Sequence, residues 1–115
     1  MLCHMRQERQ PCVYILASQR YGTLYIGVTS DLTARLWQHR NGTRPGFTTR
    51  YRVHRLVHFA MFDTMEQAIM HEKRLKNWHR QWKINLIEQA NPQWADLAAT
   101  LGLPPLAPRE RQDGS

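Results

Sequence analysis

The pattern of apolar and polar positions predicts a β-hairpin near the start of the chain. Residues 13–16 and 24–28 are rich in β-branched, aromatic and aliphatic side chains, and a polar loop around Gly22 separates them. Two extended runs joined by a short loop are typical of antiparallel strands that are neighbours in one sheet.

The register of this hairpin decides where its two central tyrosines point. If the runs pair symmetrically about the loop at 19–22, Tyr14 lies opposite Gly27. In the same register Leu16 lies opposite Tyr25, so both phenols emerge on one face of the sheet. A shift of one residue would undo this arrangement.

Two segments after the hairpin have clear helix start signals. Asp31 is a predicted N-cap and Gly42 a predicted C-terminal stop, which gives a helix of about ten residues between them. Thr64 and Gln67 have the spacing of a capping box, so a second helix is predicted to begin there and to end near Asn77.

The remaining elements are a strand and two short helices. The apolar run at 56–62 is predicted to be a third strand at the centre of the sheet, because both of its faces are largely apolar. Helices are predicted at 79–90 and at 94–101, and Gly102 is expected to end the last one.

Glu72 has an unusual position on the second helix. A helical wheel gathers the apolar side chains of this helix into one stripe, and Glu72 falls inside it. The other members of the stripe are Met65, Ala68, Ile69 and Leu75. An ionised carboxylate that faces a core costs several kcal/mol unless a cation or a donor meets it. The sequence therefore predicts a partner for Glu72, and it leaves three alternatives open: Arg35, Lys76 or a bound metal ion.

The charge of the chain favours a polyanionic partner. Its 115 residues carry a formal net charge of +7. Six arginines and no acid lie between positions 32 and 62, and five cations and no acid lie between 73 and 83. These residues are spread over a helix, a loop and a strand, which favours nucleic acid over a membrane surface. No apolar run has the length of a membrane span.

Composition also predicts one domain in a reducing compartment. A chain of 115 residues has room for one modest core. The expected division is a flexible lead at 1–11, a folded domain at 12–101 and a disordered tail at 102–115. Cys3 and Cys12 form neither a disulfide framework nor a zinc spacing, and the first residues lack the apolar core of a secretory signal. We therefore expect a cytoplasmic, bacterial-type protein.

Two tyrosine motifs, an arginine, a histidine and a glutamate follow one another in a recognisable order. They are Val13-Tyr14-Ile15, Tyr25-Ile26-Gly27, Arg35, His39 and Glu72, followed by the Asn-Pro-Gln-Trp segment at 91–94. This order resembles the GIY-YIG nuclease superfamily, above all its small single-domain bacterial members. Val13 stands where the first motif usually has glycine, and we expect that change to be tolerated because a β-branched residue suits a strand.

The resemblance implies both a fold and an activity. The fold is α/β (α+β), with a small three-stranded antiparallel sheet flanked by helices. The activity is that of a metal-dependent endonuclease, which hydrolyses phosphodiester bonds in nucleic acid, with DNA favoured over RNA. Carried over residue by residue, the implied active site consists of Tyr14, Tyr25, Arg35, His39 and Glu72.

The chemistry of these side chains suits phosphodiester hydrolysis. Arg35 offers a fixed fork of donors for phosphate oxygens. Glu72 is a hard oxygen ligand for one Mg²⁺ or Mn²⁺, and a single carboxylate near the tyrosines favours a one-metal site. Tyr14 or Tyr25 would orient or deprotonate the attacking water, which requires the metal and Arg35 to lower the pKa of the phenol. His39 would position that phenol or relay a proton.

Further residues are predicted to shape the site or to contact nucleic acid. Gly27 would allow close approach of the backbone beside the site. The family often has an asparagine after the glutamate, and both Asn85 and Asn91 are open candidates for it, although Asn91 also suits a helix cap. The predicted nucleic-acid contacts are Arg40, Arg44, Arg50, Tyr51, Arg52, Lys73, Lys76, Arg80 and Lys83.

The main alternative function is a non-catalytic basic module that binds nucleic acid without cleaving it. Replacing Glu72 with glutamine separates the two, since only an enzyme would lose cleavage while keeping its binding. A third class, a protein-interaction domain with a solvated basic face, predicts weak binding to any polyanion and no effect of metal. The small size of the domain also leaves open a homodimer as the form that grips its target.

Overall fold

The computed structural model describes residues 10–40 and 52–102, and it has the predicted α+β architecture. Within these ranges there are three strands, three α-helices and one 3-10 helix. None of these helices is both long enough and apolar enough to cross a membrane. The predictions for Gly42, Arg44, Arg50, Tyr51 and the two chain ends at 1–9 and 103–115 lie outside the described residues.

The hairpin has the predicted register. Its strands are β1, Cys12–Ala17, and β2, Leu24–Thr29. Tyr14 pairs with Gly27, and Leu16 pairs with Tyr25. Directly opposite residues share a face of the sheet, so both tyrosines lie on the same face.

The third strand, β3, is Arg55–Met61, and the prediction that it lies at the centre of the sheet is wrong. The strand order is β2-β1-β3, so β1 is central and pairs antiparallel with both neighbours. All six residues of β1 are buried, whereas the residues of β3 beyond Val57 are half-buried or exposed. The outer half of β3 is apolar although it stays partly accessible at the sheet edge.

The helices begin at the predicted caps. They are α1, Leu32–Arg40, α2, Met65–Asn77, and α3, Arg80–Ala90. The Asp31 carboxylate accepts a hydrogen bond from the Ala34 N–H at 3.2 Å. The Thr64 hydroxyl accepts one from the Gln67 N–H at 3.1 Å. These bonds satisfy first-turn donors that have no partner within the helix, which fixes the starts of α1 and α2.

The last helical segment is shorter than the predicted helix at 94–101. The structure has a 3-10 helix over Leu97–Leu101. Trp94 is fully buried, and its φ of 56° is left-handed, so it cannot belong to a right-handed helix. The helix therefore begins after Asp96, whose carboxylate caps the first turn. Gly102 ends it as predicted, with φ 85°.

Two hydrophobic clusters lie on opposite faces of the sheet. One contains Val13 of β1 together with Leu75 of α2 and apolar residues of α3. The other contains Tyr14 of β1 together with Leu36 of α1 and Ala98 of the 3-10 helix. Because successive strand residues point to opposite faces, β1 contributes to both clusters in alternation. The sheet thus separates α1 from α2 and α3.

A partly buried ion pair joins α1 to the 3-10 helix. Nη2 of Arg40 lies 2.8 Å from each carboxylate oxygen of Asp96, and the two side chains are 9% and 21% exposed. The same nitrogen donates to the carbonyl of His54, and Asp96 also accepts from the Leu56 N–H. This network holds the last turn of α1 against the start of β3.

Candidate active site

The phenol of Tyr14 lies directly over Gly27. The Tyr14 side chain is fully buried. A Cβ atom added at Gly27 would lie 2.4 Å from both Cζ and the hydroxyl oxygen of Tyr14, a distance that real Cβ atoms essentially never show. Only glycine leaves room for the ring in this position. Gly27 therefore determines where the phenol sits.

Tyr14, Tyr25 and His39 form one group, which we call the tyrosine–histidine cluster. A buried hydrogen bond of 3.2 Å joins the hydroxyl of Tyr14 and Nε2 of His39, and the tautomer of the imidazole decides which atom donates. The centroid of the Tyr25 ring lies 6.3 Å from that of Tyr14 and 5.5 Å from that of His39. The hairpin supplies the two phenols, and the last turn of α1 supplies the imidazole.

Arg35 adds a positive charge to the tyrosine–histidine cluster. It lies one helical turn before His39 and is half-buried. Its guanidinium lies beside the phenol of Tyr14, where its charge and its capacity to donate hydrogen bonds favour the ionised form and lower the pKa of the phenol. The structure thus brings together four of the five side chains predicted for catalysis.

Burial raises the pKa of Tyr14 well above the ordinary value of 10.0 for a tyrosine. The neighbouring Tyr25 raises it further, whereas the charge and the hydrogen bond of Arg35 lower it. Lowering the pKa of the phenol was expected to require both a metal ion and Arg35, and Arg35 alone does not overcome the effect of burial. The Tyr14 phenol therefore keeps its proton at neutral pH.

Glu72 is turned inward on α2, as the helical wheel predicts. It is 8% exposed and lies between the buried residues Ala68 and Leu75. Its Oε2 forms an ion pair with Nζ of Lys76, one turn later on the same helix. Of the three partners that the sequence left open, the structure has Lys76. A glutamate four residues before a lysine is a favourable helical pair, and this spacing was the sequence signal for that choice.

Glu72 and the tyrosine–histidine cluster lie on different sides of the sheet. α2 contributes to the hydrophobic cluster of Val13, whereas Tyr14 faces α1. At the β2 edge an open cavity of about 280 Å³ is lined by Tyr25 of the cluster and by Lys76, the ion-pair partner of Glu72. Its lining residues are Leu24, Tyr25, Ile26, Lys76 and Lys83. Glu72 therefore does not join the patch predicted from the sequence, which holds Tyr14, Tyr25, Arg35 and His39 on the other face of the sheet.

The residues at Glu72 fit a hydrated divalent cation. In the described ranges, 10–40 and 52–102, no group of three or more His, Cys, Asp or Glu side chains is arranged to hold a metal. Glu72 offers one carboxylate, paired with a lysine that lines an open cavity. Mg²⁺ and Mn²⁺ suit such a position, because they keep several waters and bind through one or two carboxylates plus phosphate oxygens. A cation bound there would replace Lys76 as the partner of Glu72.

Arg40 and Arg80 are predicted to contact nucleic acid, and hydrogen bonds tie both into the fold. Arg40 is held by Asp96. Arg80 donates to the carbonyls of Tyr21 and Gly22 at 2.7 Å each, which ties the hairpin loop to α3. The other predicted contacts within the described ranges are exposed or line the cavity: Arg52, Lys73, Lys76 and Lys83.

Asn91 has a structural role at the end of α3. It is 6% exposed, and its amide donates to the carbonyls of Val57 and Ala95 at 3.2 and 2.9 Å. Its side-chain oxygen accepts from the Ala95 N–H. These bonds join α3 to β3 and to the segment that follows. Asn85, the other candidate, is exposed on α3 and accepts a hydrogen bond from Gln81.

Asp96 is the residue that sequence reasoning missed. By binding Arg40 it fixes the turn of α1 that carries His39. Its sequence context predicted only the interior of a helix. The available signal was an aspartate that caps the N–H two residues later, a common arrangement at helix starts.

Residues 10–85 match the family model described as the GIY-YIG catalytic domain. This chain belongs to the GIY-YIG family. The family is of the nuclease type, and the match covers β1, β2, α1, β3, α2 and part of α3.

Several relatives of this GIY-YIG chain carry the name UPF0213. The UPF0213 protein SSP2268 of Staphylococcus saprophyticus is 37% identical over 68 residues, which are 59% of this chain and 83% of that protein. A UPF0213 protein of Staphylococcus aureus is 34% identical over the same shares of both chains. The solution structure of the UPF0213 protein BH0048 from Bacillus halodurans is 28% identical and covers 76% of this chain and 92% of that one, with a TM-score of 0.49.

Proposed function

We propose that this protein is a metal-dependent endonuclease that hydrolyses phosphodiester bonds in DNA. The observation that carries the proposal is an open cavity lined both by Tyr25, a member of the tyrosine–histidine cluster, and by Lys76, the ion-pair partner of Glu72. Membership of the GIY-YIG family supports nuclease chemistry. The net charge of +7 supports a polyanionic substrate.

Tyr14 acts as a proton relay in this proposal and never becomes a free phenolate. Its raised pKa keeps the phenol protonated at neutral pH. The phenol is fully buried, so substrate binding must first admit the attacking water to it. The hydroxyl lies 3.2 Å from Nε2 of His39, and Tyr14 then passes its own proton to that nitrogen as it takes a proton from the water. The net result is that the proton lost by the water resides on His39, and Tyr14 is again a neutral phenol.

Arg35 and Tyr25 orient the reacting groups. The Arg35 guanidinium presents a fork of donors to phosphate oxygens, beside the phenol that activates the water. Tyr25 lines the cavity and orients the water. Glu72 would hold one Mg²⁺ or Mn²⁺, and the bound ion supplies charge neutralisation at the phosphoryl and leaving oxygens.

The cavity lysines supply the charge that draws the DNA backbone to the site. Lys76 and Lys83 line the cavity, and Lys73 is exposed on the same helix as Lys76. Contacts of this kind go to phosphates and are insensitive to base sequence. DNA binding should therefore weaken as salt concentration rises.

Replacement of Glu72 by glutamine tests the proposal. Wild type and Glu72→Gln are compared on labelled single-stranded, duplex and branched DNA, with Mg²⁺, with Mn²⁺ and with chelator. The substitution keeps the size of the side chain and removes the charge that a metal requires. We expect cleavage to fall by ~10²-fold or more while DNA affinity changes little, and chelator to stop wild-type cleavage.

Glu66→Gln is the matched control, because Glu66 is an exposed glutamate in the first turn of the same helix. This variant should cleave like the wild type. If the wild type binds DNA but cuts none of the substrates with either ion, the protein is a non-catalytic binding module. Weak binding to any polyanion with no effect of metal would instead identify an interaction domain.

A further inference from the structure

Lys76 occupies the place at Glu72 that a divalent cation would take. The ammonium of Lys76 is the polar partner of Glu72 among residues 10–40 and 52–102. The two side chains differ in burial, since that of Glu72 is 11% exposed and that of Lys76 is 56% exposed. The carboxylate is therefore fixed by the core around it, whereas the lysine reaches it from solvent and is free to leave.

The cavity offers Lys76 a second place to bind. Lys76 lines this cavity together with Lys83, whose Nζ lies 3.4 Å from the carbonyl oxygen of Lys76. Two lysines around one opening repel each other, and an anion between them removes that repulsion. Tyr25 lines the same cavity and belongs to the tyrosine–histidine cluster, so an anion bound there would lie beside the candidate site.

A buried carboxylate needs one positive partner, and two cations compete for it. If a divalent cation binds Glu72, the ammonium of Lys76 must withdraw, because like charges at one carboxylate repel. If a phosphate draws Lys76 into the cavity, Glu72 loses its partner and gains affinity for a cation. Each event therefore favours the other.

We propose that Lys76 is a positioning residue that moves from Glu72 to the substrate phosphate, so that nucleic acid and the divalent cation bind cooperatively. This inference rests on the proposed function and adds that nucleic acid and the cation strengthen each other's binding. Without nucleic acid the cation binds weakly because it must displace Lys76. By thermodynamic linkage, the cation raises the affinity for nucleic acid by the same factor.

Calorimetry of Mn²⁺ binding to the full chain tests the inference without any measurement of cleavage. Titrations are made with the protein alone and with a saturating phosphorothioate DNA duplex, which resists hydrolysis. For the wild type we expect the duplex to tighten Mn²⁺ binding by ~10-fold, within the usual range of coupling between two sites. For Lys76→Met we expect Mn²⁺ alone to bind ~10-fold more tightly than to wild type, and the duplex to add little.

Two further variants serve as controls, one for general electrostatics and one for folding. Arg74→Met removes one positive charge from an exposed position on the same helix and should keep the wild-type coupling. Lys76→Arg should bind Mn²⁺ alone more weakly than the wild type, because a guanidinium forms a bidentate pair with a carboxylate. Lys76→Arg retains a positive partner for the Glu72 carboxylate, so it tests the inference even if Lys76→Met does not fold.

The outcomes separate this inference from the proposed function. If Glu72→Gln abolishes Mn²⁺ binding but both Lys76 variants keep wild-type affinity and coupling, the exchange of Lys76 is overturned and the proposed metal ligand stands. If Glu72→Gln leaves Mn²⁺ binding unchanged, both the metal role of Glu72 and the exchange are overturned. If Arg74→Met changes the coupling as much as Lys76→Met does, the effect is general electrostatics and the inference fails.

Discussion

The contact between Tyr14 and Gly27 places the strongest demand on a single residue. A methyl group at Gly27 would collide with Cζ and the hydroxyl of Tyr14, each 2.4 Å away. We expect Gly27→Ala to lower the free energy of unfolding by ~1–3 kcal/mol, the usual cost of an extra methyl group in a filled core. The displaced phenol would lose its hydrogen bond to His39, so cleavage should fall by ~10-fold or more. Urea unfolding and a DNA cleavage assay measure the two effects.

The double variant Tyr14→Ala with Gly27→Ala provides the control for this collision. Tyr14→Ala removes the ring, so the added methyl group no longer meets it. The two substitutions should therefore be less destabilising together than the sum of their separate effects. Strict additivity, or wild-type stability of Gly27→Ala alone, would show that the ring does not depend on this glycine.

The sequence predicted the positions of these residues better than their ionisation. Alternation in a strand and a short symmetric loop fix which residues are opposite, so the pairing of Tyr14 with Gly27 followed from the pattern. The pKa of Tyr14 depends on how deeply α1 buries the phenol and on how close Arg35 comes to it. Those quantities belong to tertiary packing, and local sequence does not contain them.

At the scale of elements, the Arg40–Asp96 pair holds α1 in place. The Asp96 carboxylate accepts from Arg40 and from the N–H groups of Leu56 and Ala98. Asp96→Ala would leave the guanidinium of Arg40, 9% exposed, without its carboxylate. We expect a loss of ~3–5 kcal/mol in unfolding free energy, measured by urea denaturation, because an uncompensated buried charge is costly.

Asp63→Ala is the comparison for Asp96→Ala, since Asp63 is an exposed acid at the turn before α2. That substitution should change the unfolding free energy by less than about 0.5 kcal/mol. Equal effects of the two substitutions would mean that the ion pair contributes little to holding α1. A drop in cleavage by Asp96→Ala under conditions where it is still folded would link this pair to the position of His39.

The starts of helices with side-chain caps were predicted correctly. The order of the strands and the start of the last helix, which depend on what is buried, were not. The side chains of Asp31 and Thr64 bond the first turns of α1 and α2, and such signals are local in sequence. The order of strands depends on which strand finds two neighbours, and β1 and β3 are both apolar. Trp94 is buried in a left-handed conformation, so the last helix begins later in the chain than predicted. That burial is set by residues far away in the sequence.

The whole molecule is organised by a sheet with a different helix set on each face. Tyr14 and His39 lie on the α1 face, and Glu72 comes from α2 on the other. Only an edge strand lets groups on opposite faces of a sheet reach a common substrate. The position of β2 at the edge, with a cavity lined by Tyr25 and Lys76 beside it, is therefore the feature through which the proposed site would draw on both helix sets.

The unfolding free energy of the whole molecule should fall in acid because of two histidines, His58 on β3 and His71 on α2. Burial lowers the pKa of His58, and the charge of His71 lowers it further. Burial also lowers the pKa of His71, with a second contribution from Arg74. The folded state therefore binds fewer protons than the unfolded state. This stabilising contribution is present above the unfolded histidine pKa of about 6.5 and is lost as pH falls through the folded values.

His58→Gln should make the loss of stability in acid shallower, because it removes one of the two groups that take up a proton on unfolding. Urea unfolding of both proteins at several values between about pH 8 and pH 5 measures the slopes. At the alkaline end both histidines are neutral, so the difference there reports packing alone and serves as the internal control. Parallel curves for the two proteins would show that His58 takes up no extra proton on unfolding, and the acid sensitivity would then have to come from elsewhere in the fold.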